Sequence, residues 1–286
     1  MRNFLKPVFW LLPLLAVAVA SCCPSRAEII SIVIASNAAP RVEFGAEKLA
    51  EALKFAKMRA VIVRSDAQKL SAVMSAQIPE EPGGRKIYVS RLRSGWERES
   101  FVVSQRMDGN NLGVMANDDS GVLYGCLELA KRIRAEGKLP ENLSFSDKPA
   151  MTLRGTCVAM QKTYILPGRK VYEYPYTPEL FPWFYDKKLW TEYLDSLVAN
   201  RMNTLYLWNG HPFASLVRLK DYPYAVEVPD DIFTKNQEQY RWLAGECDKR
   251  GIWLVQMFYN IFVSKPFAET NGISTQLSAP TPLVAD

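Results

Sequence analysis

The sequence predicts an α/β protein in two parts, a small α+β, sandwich-like domain over residues 28–146 and a run of βα units over residues 149–286. Three observations support this fold class. Apolar runs of strand length recur along the chain, and helical periodicity separates several of them. At Pro149 the pattern changes to a regular alternation of strand and helix, which is typical of a parallel sheet.

The chain begins with the pattern of an export signal. A mainly apolar run over residues 8–20 is too short for a membrane-spanning helix, which needs about 20 residues, so residues 1–21 are predicted to be a signal peptide. The tetrapeptide that ends at Cys22 resembles a bacterial lipobox, which predicts lipidation of Cys22. Ordinary secretion with cleavage near Ser21 is the alternative. We therefore expect an exported protein at the cell envelope, held to the membrane through a lipid anchor only.

Composition excludes several classes of function. The net charge of +5 falls to +3 once the predicted signal peptide, with Arg2 and Lys6, is removed, and this balance favours neither nucleic acid nor another polyanion as a partner. His211 is the only histidine and there is no CxxC motif, so we expect no metal site and no cofactor. Buried free thiols are expected, with one disulfide as the alternative, at Cys126, Cys157 and Cys247.

The first part contains five predicted strands and two predicted helices. The strands cover residues 29–35, 60–63, 87–90, 101–104 and 112–116. One helix begins at Pro40. The other has Asp118 or Asp119 as its N-cap and ends at Gly137. We expect a sheet with both helices on one face and no site chemistry of its own.

The second part alternates strand and helix. Strands are predicted over residues 152–159, 203–208 and 252–258, with helices around 190–198 and 236–250. A doubly wound sheet and a barrel both fit this alternation. The sequence has no glycine-rich phosphate loop after the first of these strands, which removes the main reason to prefer a dinucleotide-binding fold. The 138 residues from Pro149 are far fewer than the ~250 of a whole eight-fold barrel, so we interpret the chain as truncated. Because the remaining barrel strands would be missing, we expect the side chains of Leu205, Leu207, Leu254 and Val255 to lack packing partners.

Candidate site residues lie where the predicted parallel strands end. The first end offers Gln161 and Lys162, with Arg154 lower on the strand, and the third offers Gln256. An aromatic face can contact the C–H side of a sugar ring, while amides and cations bind its hydroxyl groups. For any single aromatic residue, ordinary packing in the core or a loop is the alternative explanation. The predicted substrate-binding residues are Arg154, Trp208, Asn209, His211, Tyr259, Asn260 and Lys265. Two roles are open for His211, a hydrogen bond to a sugar hydroxyl or attachment of its loop to the sheet.

Two carboxylates elsewhere are interpreted as structural. Asp230 and Asp231 lie just ahead of a predicted helix, where acidic residues interact with the helix dipole, so they are expected to begin that helix. Glycosidic cleavage usually needs two carboxyl groups that flank the bond. The three strand ends carry no such pair, and the catalytic acids are expected beyond residue 286.

The segment at the start of the second part carries a family resemblance. Residues 147–155 read DKPAMTLRG, which resembles the D-x-P-x-x-x-x-R-G entry to the barrel of family 20 β-hexosaminidases, and residues 200–205 are similar to their next strand. The first part resembles the small domain before the barrel in hexosaminidases and family 67 α-glucuronidases, and the strands around TLYLWNGHPF and WLVQMFYNI resemble the latter more closely.

This resemblance implies an incomplete (β/α)8 TIM barrel in which Arg154 grips sugar hydroxyls. It further implies the N-terminal portion of an exported glycoside hydrolase that cleaves O-glycosyl bonds of a complex polysaccharide and is inactive by itself. A non-catalytic glycan-binding envelope lipoprotein is the alternative.

Overall fold

A computed structural model describes residues 29–75, 84–92, 95–106, 109–167, 174–209, 211–257 and 263–273. The predicted signal peptide and Cys22 lie outside these residues, so lipidation stays a prediction. Within the described ranges, no helix has the length and apolar character that a membrane span requires.

The first part is built on one mixed six-stranded sheet. Its strands are β1 (Ile29–Ala35), β2 (Arg59–Ser65), β3 (Lys86–Arg91), β4 (Phe101–Gln105), β5 (Leu112–Ala116) and β6 (Ser144–Asp147). They lie in the order β2-β1-β3-β5-β4-β6, and the first four are parallel. Strands β4 and β6 are antiparallel to their neighbours. The five predicted strands are confirmed. Strand β6 was not predicted because its sequence, SFSD, is short and mostly polar.

Helices cover both faces of this sheet. They are α1 (Pro40–Phe55), α2 (Ala67–Met74) and α3 (Asp119–Glu136). The predicted capping of α3 is confirmed, since Asp118 Oδ1 accepts the Gly121 N–H at 2.8 Å and Gly137 ends the helix with φ 67°. Helices α1 and α3 share one core with the sheet, whereas α2 packs on the opposite face against Val33 and Tyr88. The arrangement is therefore helix, sheet, helix rather than sandwich-like.

The second part contains three parallel strands, β7 (Gly155–Ala159), β8 (Thr204–Trp208) and β9 (Trp253–Met257), in that order. The helices of this part are α4 (Lys187–Ala199), α5 (Phe213–Leu216), α6 (Asp230–Lys249) and α7 (Lys265–Thr270). The three strands and the βα alternation were predicted and are confirmed. Asp230 and Asp231 form the first turn of α6, as expected of helix-start residues.

The two faces of this second sheet differ sharply. Leu205 and Leu207 point toward the helices and are fully buried, so the prediction that they lose partners is wrong. Side chains alternate along a strand, and the register places Cys157 and Tyr206 on the other face. That face is open, because Cys157 is exposed and Trp253 retains 52% of its accessible surface. The prediction that Cys157 is buried is also wrong.

The two parts share a core and are joined by ion pairs. Arg41 on α1 contacts Asp248 on α6 at 2.8 Å, and Lys48 on α1 contacts Asp195 on α4 at 3.1 Å. Asp195 is also paired with Arg250, whose guanidinium is buried. The first part therefore packs directly against the helices that cover the second sheet.

Candidate functional site

The candidate site is the edge of the second sheet where β7, β8 and β9 end. Parallel strands bring their carboxyl ends to one edge, so the loops after the strands lie side by side. The Met160 N–H donates to the Trp208 carbonyl at 2.7 Å, and the Asn209 N–H donates to the Met257 carbonyl at 3.3 Å. The three strand ends are thereby hydrogen-bonded to one another.

Asn209 holds this edge together and is only 1% exposed. Its Nδ2 donates to the Met160 carbonyl at 2.8 Å and to the Tyr174 carbonyl at 3.4 Å. Its Oδ1 accepts the backbone N–H of His211 at 2.7 Å. Because these bonds occupy both amide atoms, Asn209 positions the His211 loop, and the predicted sugar contact of its side chain is wrong.

His211 is half-buried at the start of the loop after β8. Burial lowers its pKa to about 4, so the imidazole is neutral at pH 7. A neutral imidazole offers one donor and one acceptor, which matches a sugar hydroxyl. Among the described residues the ring nitrogens have no hydrogen-bond partner, and the ring lies edge-on to Phe213 with a centroid distance of 6.3 Å. This geometry favours substrate contact over a role in attaching the loop.

Other predicted residues lie along the same edge. Trp208 is the last residue of β8 and is half-buried. The Lys162 Nζ donates to the Leu180 carbonyl and lies 5.1 Å from the Phe181 ring centroid, so its charge is directed toward the first loop.

Lys265 begins α7 and was predicted to bind substrate. Its backbone N–H donates to Glu227 Oε1 at 2.7 Å, and its Nζ lies 4.0 Å from Glu269. No sequence pattern marked Glu227, which lies in a loop without periodicity. Its carboxylate fastens α7 to the loop after β8. Tyr259 and Asn260 lie outside the described residues.

Arg154 lies at the opposite end of the second sheet, directly before β7. Its Nη2 contacts Glu99 Oε2 at 2.6 Å, and its Nε donates to the Arg201 carbonyl at 2.8 Å. Both side chains of the ion pair are nearly buried, at 12% and 11% exposed. Asn203 Nδ2 donates to the other Glu99 oxygen at 3.0 Å. The structure therefore gives Arg154 a role in joining the two parts and not the sugar contact that the resemblance implied.

The described part of the chain contains no group of three or more metal-ligating side chains. The site thus consists of a neutral imidazole and an indole beside a hydrogen-bonded strand edge, with the Lys162 ammonium in the first loop. Such groups can bind and orient a hydroxylated ring. Proton transfer at a glycosidic bond would require a pair of carboxyl groups, and the described residues directly at the strand ends, 160–162, 208–209, 211 and 256–257, include no Asp or Glu.

Comparison with known proteins identifies similar solved structures, whereas no protein-family model and no curated protein matches the chain. A GH138 enzyme targeting pectin rhamnogalacturonan II is 44% identical with a TM-score of 0.74, over 86% of this chain and 26% of that chain. CpGH84D is 11% identical with a TM-score of 0.50, over 80% of this chain and 34% of that chain. A β-N-acetylhexosaminidase from Bacteroides fragilis is 14% identical with a TM-score of 0.45, over 81% and 40% of the two chains.

The GH138 enzyme is a glycoside hydrolase, as the resemblance implied at this coarse level. The likeness to CpGH84D shows the fold alone. The present chain spans about a quarter of the length of the GH138 enzyme.

Proposed function

We propose that the chain is the N-terminal portion of an exported glycoside hydrolase that cleaves O-glycosyl bonds in a pectic polysaccharide. The observation that carries this proposal is the 44% identity to the GH138 enzyme over 86% of the chain. In this proposal the three parallel strands are the first units of a (β/α)8 barrel, and the protein resembles the GH138 enzyme more than the hexosaminidases or α-glucuronidases suggested by the sequence.

The substrate would be held where the strands end. His211 is neutral, its ring nitrogens have no partner among the described residues, and its backbone is fixed in place through Asn209. Trp208 offers an aromatic surface at the same edge. The catalytic carboxyl pair would come from further units of the barrel, so we expect residues 1–286 alone to have no glycosidase activity. Export and lipidation at Cys22 remain part of the proposal and rest on the sequence pattern.

A chimera tests the proposal directly. This chain replaces the matching segment of the GH138 enzyme, and hydrolysis of rhamnogalacturonan II is measured. We expect the chimera to cleave the polysaccharide and His211→Ala to raise KM, because a sugar contact is lost. Lys249→Ala is the matched control, since that side chain is 52% exposed and lies at the end of α6, directly before β9 and so at the opposite end of the sheet. A folded chimera that neither binds nor cleaves the polysaccharide would contradict the proposal.

The alternative is a non-catalytic glycan-binding envelope lipoprotein. It is favoured by one observation, the lack of a carboxyl pair among the described residues at the strand ends. It predicts that the whole natural protein binds pectic polysaccharide without turnover.

A further inference from the structure

The first sheet carries a cavity that belongs to no site described above. It has a volume of about 540 Å³ and lies where β1 and β3 end. Its floor is formed by Ala35, the last residue of β1, and by residues 89–91 at the end of β3. The loop over residues 37–39 and the helix segment over residues 67–72 form its walls. A volume of roughly 300–1,000 Å³ is typical of small-molecule sites. We call this cavity the first-sheet crevice.

The strand order explains why a crevice forms there. From β1 the chain passes through α1 to β2 on one side, and then through α2 to β3 on the other side of β1. Helix α1 follows β1 on one face of the sheet and α2 follows β2 on the opposite face, so the first turns of both helices border the crevice beside the ends of β1 and β3. In open α/β sheets, ligands bind outside the carboxyl ends of the strands where the strand order reverses in this way. Topology and cavity thus independently indicate the same place.

The lining combines an apolar floor with a polar rim. Three exposed side chains, Asn37, Gln68 and Ser71, supply amide and hydroxyl groups. Arg91 and Asp119 also line the crevice and approach each other to 3.4 Å. The Arg91 side chain is 60% exposed, and an exposed pair of this length is weak, so both groups remain accessible to a ligand.

We propose that the first-sheet crevice binds a small hydroxylated carboxylic acid, such as a single uronic acid, which its volume of about 540 Å³ can hold. The Arg91 guanidinium pairs with the carboxylate, for which its planar fork is suited. The hydroxyl groups form hydrogen bonds with the Asp119 carboxylate and with the side-chain amides of Asn37 and Gln68. Among the described residues no aromatic side chain lines the crevice, so polar contacts to one small ring dominate over stacking along a polymer.

Helix α1 adds to the preference for an acid. It begins at Pro40, and its N-cap residue Ala39, which lines the crevice, provides no side-chain cap. The acidic residue in the first turn, Glu43, is paired with Arg64 at 2.6 Å, so the backbone N–H groups at this helix end have no side-chain cap of their own. The proposed site is distinct from the His211 edge and does not depend on glycoside hydrolysis.

The test compares D-galacturonic acid with D-galactose, which share their ring hydroxyls and differ at the carboxylate. The purified chain is titrated with each sugar, and backbone amide shifts are followed by NMR. We expect saturable shifts over residues 35–39, 67–72 and 89–91 with the acid, and at least about tenfold weaker binding of the neutral sugar, because a charge-assisted hydrogen bond is lost.

Variants sharpen the result. Arg91→Gln should remove the preference for the acid while the protein stays folded, since the side chain is largely exposed. Arg59→Gln is the matched control, because this exposed residue begins β2 at the opposite end of the sheet. Absence of saturable shifts at the crevice, equal binding of the two sugars, or wild-type binding by Arg91→Gln would each overturn the proposal. Shifts confined to the His211 edge would overturn it while still supporting the proposed function.

Discussion

Removal of Arg154 should destabilise the protein strongly, because this side chain forms a nearly buried ion pair between the two parts. Arg154→Met leaves the Glu99 carboxylate buried with Asn203 as its remaining side-chain partner, and it also removes the donor to the Arg201 carbonyl. Breaking a buried pair from one side typically costs about 3–5 kcal/mol. This is a large part of the roughly 5–15 kcal/mol by which a domain is stable.

Urea unfolding followed by tryptophan fluorescence measures this loss. A double-mutant cycle with Glu99→Gln should give a coupling energy of at least about 1 kcal/mol, as expected for residues in direct contact. Arg218→Met is the control, because its pair with Asp230 is exposed and worth at most about 1 kcal/mol. The reasoning would be refuted if Arg154→Met unfolded within about 1 kcal/mol of the wild type and instead lost affinity for sugar.

Three further results are expected. As the pH falls from 6.5 to 4, the free energy of unfolding of the wild type should fall by up to about 3 kcal/mol relative to that of His211→Gln. The reason is that His211 takes up a proton near pH 6.5 in the unfolded chain, whereas burial lowers its pKa in the folded protein to about 4. A difference in unfolding free energy that does not vary with pH would contradict the burial of this ring. Cys157→Ser should remove one rapidly reacting thiol in a titration of the native protein, because the two other described cysteines are buried. An unchanged count of fast thiols would place Cys157 in the interior. Gly155→Ala should cost about 3 kcal/mol or more, since a Cβ at this position would overlap the Thr204 carbonyl of the neighbouring strand. A near-wild-type melting temperature would show that the two strands can move apart.

Local patterns in the sequence determined most of the secondary structure. Apolar runs located β7, β8 and β9 to within a few residues, and the sequence marked the ends of α3 by Asp118 or Asp119 and by Gly137, of which the structure selects Asp118 as the N-cap. These features depend on neighbours within a few positions, so they can be recognised without the fold. Short elements escaped detection for the same reason: α2 has only eight residues, and β6 has four, mostly polar.

The direction and partners of individual side chains required the tertiary structure. The sequence marked His211 and the strand ends, but it could not show that Leu205 faces the helices or that the Asn209 amide is occupied by three backbone groups. The sugar contact of Arg154 came from the family resemblance, and no sequence pattern indicated its partner in the structure, Glu99, which lies 55 residues away along the chain. The first-sheet crevice is likewise formed by segments that meet only through the strand order. Contacts between distant segments depend on which faces the packed sheet buries, and no local pattern encodes that choice.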